Sequence, residues 1–494
     1  MKTDYERIFH PGRIAILGVS AEEDGFGSRI LMALRSIGFA GDIFPVNPKG
    51  GFFANSEIYR SVDAIPAEID FAIIAVAARA VPEALEACRK KGVAGAEILS
   101  AGFKELGTPE GIALENEIKR IAARGIRVIG PNCFGIYCPR SGLTLLPGPD
   151  LSPETGPVAF LSQSGGMAVD FANEGKSIGV RFSKVVSFGN GADLRETELL
   201  AYLRDDPETR VITMYVEGIE DGDQFFSTLR STSRKKPVIV YKGGLSEAGR
   251  RAVVSHTASM GGSRAIWNSI LKQTHAIQVQ DMPEIAQAAL AFSFLPQRVY
   301  RNITLLGGGG ALGVSAADAA ERFGLTFPPF APETVQRMMA ILPKPGSSAG
   351  NPVDVANPYV APAVLCECLR IGAQDDRIDL QILISLLGYY KNLARYLGKP
   401  LRAVAPFQEL AEGVQKVAVE SGKPIVIIIS NPRRSLDHLD VVETVELARK
   451  AFLDRGIPVF DDLRNALRAL SHVNEYASTT GNRTIGIEMG EEHE

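Results

Sequence analysis

The chain has 494 residues, and at roughly 150 residues per domain it is expected to hold about three domains. Hydrophobic residues make up 45% and charged residues 22%, and 53 Lys and Arg against 57 Asp and Glu leave a net charge of −4. This is a globular composition, without the basic excess of a dedicated nucleic-acid binder and without an apolar run near the ~18 residues of a membrane span.

The start, residues 1–13, carries Asp4 and Glu6 before any apolar stretch, so it reads as no secretory signal. Five cysteines (Cys88, Cys133, Cys138, Cys366 and Cys368) are too few and odd in number for a disulfide framework, and they fit free thiols in a cytoplasmic protein.

Residues 1–145 alternate strand-like runs at 13–19, 42–46, 70–76, 96–100 and 127–130 with helical spacing at 81–91 and 109–124. That alternation predicts βαβ units around a parallel sheet. The run 70–76 is nearly all apolar, as a strand covered on both faces should be. Residues 140–156 are rich in Pro, Gly and Ser and read as a linker. A second domain, 151–296, places strands at 158–161, 183–187, 211–216 and 238–241. After a break near 296–301, a third domain, 300–477, includes strands at 303–306, 380–386 and 424–429, and the polar tail 478–494 is expected to fray. The fold class is therefore α/β, with successive parallel-sheet domains.

Four loops follow strands and could carry chemistry. Gly18-Val19-Ser20 runs on to Gly25 and Gly27, a glycine-bearing turn suited either to a phosphate at a helix N-terminus or to a plain strand-to-helix connection. It misses the G-x-G-x-x-G fingerprint of nicotinamide binding. Ser162-Gln163-Ser164-Gly165-Gly166 can cap a helix while leaving its first N–H groups open to an anion, and it fails the G-x-S-x-G pattern of hydrolases. Lys242-Gly243-Gly244 precedes Ser255-His256-Thr257, where a neutral imidazole among small residues could attack a phosphoryl group. Gly307-Gly308-Gly309-Gly310 leads into a further helix whose N-terminus is either an anion site or a close-packing turn. Glu217 ends a strand and could orient an imidazole, whereas Asp354 reads as a turn residue.

Taken in order, these segments carry a resemblance. Gly130-Pro131-Asn132-Cys133-Phe134-Gly135, the 162–166 loop, Ser187-Phe188-Gly189-Asn190, Tyr215-Val216-Glu217-Gly218, Lys242-Gly243-Gly244, Ser255-His256-Thr257 and Asn351-Pro352-Val353-Asp354 resemble the α-type chain of NDP-forming (ADP-forming) acyl-CoA synthetases, in the succinyl-CoA synthetase superfamily. The resemblance runs from about residue 14 to about residue 477. It implies a Rossmann-like CoA-binding domain followed by two flavodoxin-like, succinyl-CoA synthetase-like domains. It implies that His256 is the phosphohistidine, that Glu217 orients it, and that two helix N-termini hold the phosphate through Ser162, Ser164, Gly165, Gly309 and Gly310. CoA contacts are implied at Gly18, Ser20, Asn47, Lys49, Ser100, Gly102, Asn132 and Cys133, with no metal on this chain.

The ATP-grasp part of such enzymes has no counterpart in these residues, so ATP and Mg2+ are expected on a β-type partner subunit in a hetero-oligomer. The implied reaction joins a carboxylic acid to CoA through the phosphohistidine and an acyl phosphate. Val169 stands where succinate-using relatives carry a tyrosine, which argues against succinate. Two rival expectations are a CoA- or acyl-CoA-binding protein without ligase activity and a nicotinamide-dependent oxidoreductase.

Overall fold

Strands β1 (Arg13–Leu17), β2 (Asp42–Val46), β5 (Phe71–Ile74), β6 (Gly95–Ile98) and β7 (Arg127–Ile129) form a parallel sheet in the order β2-β1-β5-β6-β7. A short hairpin, β3 (Gly51–Phe53) with β4 (Ser56–Ile58), follows β2. The fold is described from a computed structural model covering residues 3–21, 25–144, 150–249, 251, 263–431, 433 and 435–481. All four residues of β5 are buried, because helices cover both faces of this sheet. Helix Pro109–Ala122 begins where it does because Thr108 accepts a hydrogen bond from Gly111 N (3.2 Å) and Pro109 takes the first position, where no N–H is needed.

The second sheet has six strands: β8 (Gly135–Tyr137), β9 (Thr155–Ser162), β10 (Phe182–Ser187), β11 (Val211–Val216), β12 (Val238–Lys242) and β13 (Ile277–Val279). Their order is β13-β12-β11-β9-β10-β8. Strand β8 comes from the stretch assigned by sequence to the first domain, yet it pairs antiparallel with β10, Ile136 opposite Val186. The first two sheets lie together in one compact unit, residues 1–289, and share a continuous core from Ile8 through Leu161 to Trp267. Arg127 also pairs with Asp193 (2.8 Å), and Tyr5 stacks on Tyr202 at 4.2 Å between ring centroids.

A second unit, residues 290–494, holds β14 (Ile303–Gly307), β15 (Val353–Asp354), β16 (Leu380–Ile384), β17 (Ile425–Ile428) and β18 (Val459–Phe460), in the order β15-β14-β16-β17-β18, all parallel. No helix among the described residues is long and apolar enough to cross a membrane.

In the parallel part of each of the three large sheets, the first strand (β1, β9 or β14) has later strands on both sides, so the strand order reverses beside it. The crevice at the carboxyl ends of such strands is where open α/β sheets bind ligands. Three of the glycine- or serine-bearing loops noted in the sequence leave these ends.

Candidate active site

Gly18 follows β1 with a φ of +105°, and a Cβ there would lie 2.4 Å from the carbonyl oxygen of Ala75, at the end of β5. Only glycine fits this left-handed, crowded turn. The loop is pinned to the next helix, Phe26–Ile37, because Ser20 N donates to Ser28 Oγ (3.2 Å) and Ser28 Oγ donates to Ser20 O (2.9 Å). After β2, Asn47 Nδ2 donates to Val19 O (2.8 Å) and its Oδ1 accepts from Lys49 N (3.0 Å), while the Lys49 side chain is exposed. After β6, Ser100 Oγ donates to Val76 O, and Gly102 N donates to Glu105 Oε1 (2.6 Å). After β7, Asn132 N donates to Ser100 O (2.9 Å).

Seven of the residues expected to touch CoA thus lie in loops along one sheet edge, tied strand to strand. The eighth, Cys133, is buried below that edge with Sγ 3.3 Å from Ile98 O, and burial pushes its thiol well above the ordinary range.

On the second sheet, helix Gly165–Ile178 is capped by Ser164, whose hydroxyl accepts from Met167 N (3.4 Å). Ser162 is fully buried and donates to Ser164 O (2.6 Å), so it braces the cap from beneath. Gln163 bridges the crevice between β9 and β11: its Oε1 accepts from Glu217 N (2.8 Å) and Gly218 N (3.1 Å). Glu217, 7% exposed, accepts from Tyr215 Oη at 3.0 Å. Lys242 is buried under the Trp267 ring and donates to Glu217 O (2.6 Å) and to Gly243 O. Its burial brings the ammonium down to about 8. His256 lies outside the described residues.

The two sheets meet at the loop after β10. Asn190 N donates to Pro131 O (3.0 Å), and Asn190 Nδ2 donates to Glu105 Oε2 (2.6 Å) and Glu115 Oε2 (2.9 Å). Asn132 Nδ2 completes the bridge to Asn190 Oδ1 (3.3 Å). Burial would raise the Glu105 carboxyl, but hydrogen bonds from Gly102 N, Asn190 and Phe103 N outweigh it and hold the group below its usual range. Around this junction is a cavity of about 190 Å3 whose walls include Asn132, Phe134, Gln163, Ser164, Gly165 and Asn190. The Ser164 cap, with the first N–H groups of its helix, and the Asn132 end of the first sheet therefore face one space, which favours an anion.

In the second unit, Gly309 caps helix Gly310–Arg322 with a φ of +100°, and its N–H donates to Asp354 Oδ1 (3.0 Å). Asp354 Oδ1 also accepts from Ala356 N (2.7 Å), the turn role read from sequence. Gly309 and Gly310 are both exposed at this helix start.

Comparison with known proteins places these features in a lineage. Three family models match in succession: a CoA binding domain over residues 12–139, a succinyl-CoA ligase like flavodoxin domain over 155–292, and a ligase-CoA domain over 303–437. The α subunit of acetate–CoA ligase [ADP-forming] I from Pyrococcus furiosus is 34% identical over 480 residues, covering 96% of this chain and 97% of that one. The chain belongs to the α-type chains of the ADP-forming acyl-CoA synthetases. The acetate–CoA ligase [ADP-forming] I of Archaeoglobus fulgidus is 35% identical over 481 residues; the match takes in 97% of this α-type chain but 65% of that longer protein. The solved dinucleotide forming acetyl-coenzyme A synthetase 1 of Ca. Korarchaeum cryptofilum, in complex with phosphate and ADP, superposes with a TM-score of 0.80 at 28% identity, over 97% of this chain and 98% of that one.

Membership in a family of acid–thiol ligases favours the ligase expectation over a bare CoA-binding protein. Sequence reading missed Glu105, Glu115 and Lys242 as parts of the site framework. Glu105 and Glu115 meet Asn190 across 85 and 75 residues, a pairing without a local signature. Lys242 opens the Lys-Gly-Gly motif in the sequence, but only the structure reveals that its ammonium ties the ends of β11 and β12 together.

Proposed function

We propose that this chain is the CoA-handling, phosphohistidine-bearing subunit of an ADP-forming acyl-CoA ligase, and that a β-type ATP-grasp chain binds ATP and Mg2+ and completes a hetero-oligomer. An imidazole nitrogen of His256 attacks the γ-phosphorus of ATP, the bond to the β-phosphate oxygen breaks and ADP leaves. A carboxylate oxygen of the acid then attacks that phosphorus, giving an acyl phosphate and the free imidazole. The CoA thiol attacks the acyl carbon, so the C–O bond to phosphate breaks and acyl-CoA and inorganic phosphate leave. The covalent intermediate divides one difficult exchange into easier ones.

In this reading Glu217 fixes the imidazole tautomer. Ser164 and Gly165, braced by Ser162, present N–H groups to the phosphoryl oxygens, and Gly309 and Gly310 are assigned the same role on the second unit. Gly18, Ser20, Asn47, Lys49, Ser100, Gly102 and Asn132 receive CoA, with Lys49 suited to its phosphates and Cys133 packed beneath.

The observation that carries the proposal is the shared cavity. The edge assigned to CoA and the helix start assigned to phosphate line one space through Asn132 and Ser164. The acid is proposed to be a monocarboxylate, in keeping with relatives named for acetate and with Val169 in place of a tyrosine. A reducing, cytoplasmic setting suits five free, buried cysteines.

The test is intact-mass analysis of the chain co-purified with its ATP-grasp partner and incubated with Mg-ATP. An acid-labile phosphoryl adduct is expected on the wild type and not on His256→Ala, which keeps its affinity for CoA. An adduct of equal yield on His256→Ala overturns the assignment, as does no adduct on the wild type with a partner proven active on another α-type chain.

A further inference from the structure

The proposed reaction leaves open what holds the acid's carbon chain. The reacting carboxylate must approach phosphorus at the start of helix Gly165–Ile178, so its first carbons lie within a few bond lengths of Gly165. The cavity at that point is walled by Lys104, Glu105, Asn132, Gln163, Ser164, Asn190 and Arg195, by three glycines and by Phe134. Among the described residues, Phe134 is the one apolar side chain in that wall.

Its placement is specific. The ring stands against Gly165 so closely that a Cβ added there would lie 2.8 Å from ring carbons. It is 37% exposed, so part of the ring is left open toward the cavity it lines. Its backbone is fixed on both sides. Phe134 N donates to Ser187 Oγ (3.0 Å), Cys133 before it is buried, and Gly135 after it opens β8 opposite Ser187. A side chain held on so rigid a support can act as a gauge of size. Two of the charged groups nearby are already committed, Arg195 pairing with Glu196 (3.4 Å) and Glu220 (2.5 Å) and Glu105 accepting from Gly102 and Asn190, while the Lys104 side chain is exposed at the rim.

We infer that Phe134 is the specificity-determining wall for the acyl group, and that the ring face beside Gly165 selects acids with a short apolar chain. This rests on the ligase reading above and sharpens its substrate class. The space beside the ring, about 190 Å3, is small, which suits a short acyl chain next to a phosphoryl group. Longer or branched acids must push the ring away from Gly165.

The experiment uses the chain with its ATP-grasp partner and reads kcat/KM for acetate, butyrate and phenylacetate in wild type, Phe134→Ala and Phe134→Leu. In Phe134→Ala the ratio of phenylacetate to acetate is expected to rise roughly tenfold to a hundredfold, the span that one added or lost apolar contact gives. Phe134→Leu should fall between. The rate of His256 phosphorylation by Mg-ATP and the KM for CoA should stay near wild type in both. A ratio unchanged within about twofold in both variants, with phosphorylation intact, overturns the inference and leaves the ligase reading standing. Absence of phosphorylation in the wild type fails the ligase reading instead. Should Phe134→Ala not fold, Phe134→Leu alone carries the test, because it keeps apolar bulk and removes the flat ring.

Discussion

Glu97 lies on β6 inside the first sheet, 3% exposed, with its Oε2 accepting from Ile136 N at 3.0 Å. The Gly135 backbone presses on the carboxyl, and a Cβ at that glycine would sit 2.5 Å from an oxygen. Burial raises this carboxyl from 4.5 to about 8, against the smaller opposing effect of the Ile136 hydrogen bond. The folded chain therefore keeps a proton that the unfolded chain releases above pH 4.5. Below 4.5 both states are protonated and there is no penalty. From 4.5 to about 8 stability falls by about 1.4 kcal/mol per pH unit, reaching at most about 5 kcal/mol, and then levels off. Glu97→Gln cannot ionise and keeps an acceptor for Ile136 N–H, at a cost of about 1 kcal/mol for the weaker polar fit. The variant should match or slightly trail wild type at pH 4.5 and exceed it by about 3–4 kcal/mol at pH 8.5. The assay is urea unfolding followed by tryptophan fluorescence, since Trp267 is the single tryptophan and lies in the same unit as Glu97. A stability difference between the two proteins that stays constant from pH 5 to pH 8.5 refutes the reasoning.

Two further outcomes test the framework around the cavity. Asn190→Ala removes the amide that donates to Glu105 and Glu115 together, and should cost about 2–3 kcal/mol in unfolding free energy and weaken CoA binding measured by calorimetry; unchanged affinity would separate this bridge from the CoA edge. Gly18→Ala forces a Cβ toward Ala75 O at a positive φ, and should lower stability by about 2–4 kcal/mol and CoA affinity by roughly tenfold or more, so an unchanged melting temperature counts against the crowded-turn argument.

The sheets and the ligand-facing loops were legible because their signals are local. Apolar runs such as 70–76 end in small polar or glycine residues, and those ends are where parallel sheets bind ligands. What stayed hidden depends on distant partners. Glu97 and Lys184 are ionisable residues inside strands, and a charge in a strand reads as a solvent-facing position. Here Glu97 is held under Ile136, while Lys184 is fully buried between Asp206 (3.0 Å) and Glu208 (2.5 Å). The linker reading of residues 140–156 was drawn from Pro and Gly content, which says nothing of the three residues upstream that join the next sheet. His256, the residue proposed to carry the phosphoryl group, is singled out by its small neighbours and by family resemblance alone and lies outside the described residues.

That borrowed strand has a practical consequence for anyone dissecting the protein. A scissile site engineered into residues 140–156 would send β8 off with the first fragment and strip the second sheet of its outer row. The exposed edge of β10 would then seek pairing with other molecules, and the first fragment would carry a strand with nothing to dock on. Separate expression of the two halves should yield aggregates singly and a recoverable complex on co-expression, so the smallest soluble unit for studying CoA capture runs to about residue 289 rather than ending at the linker.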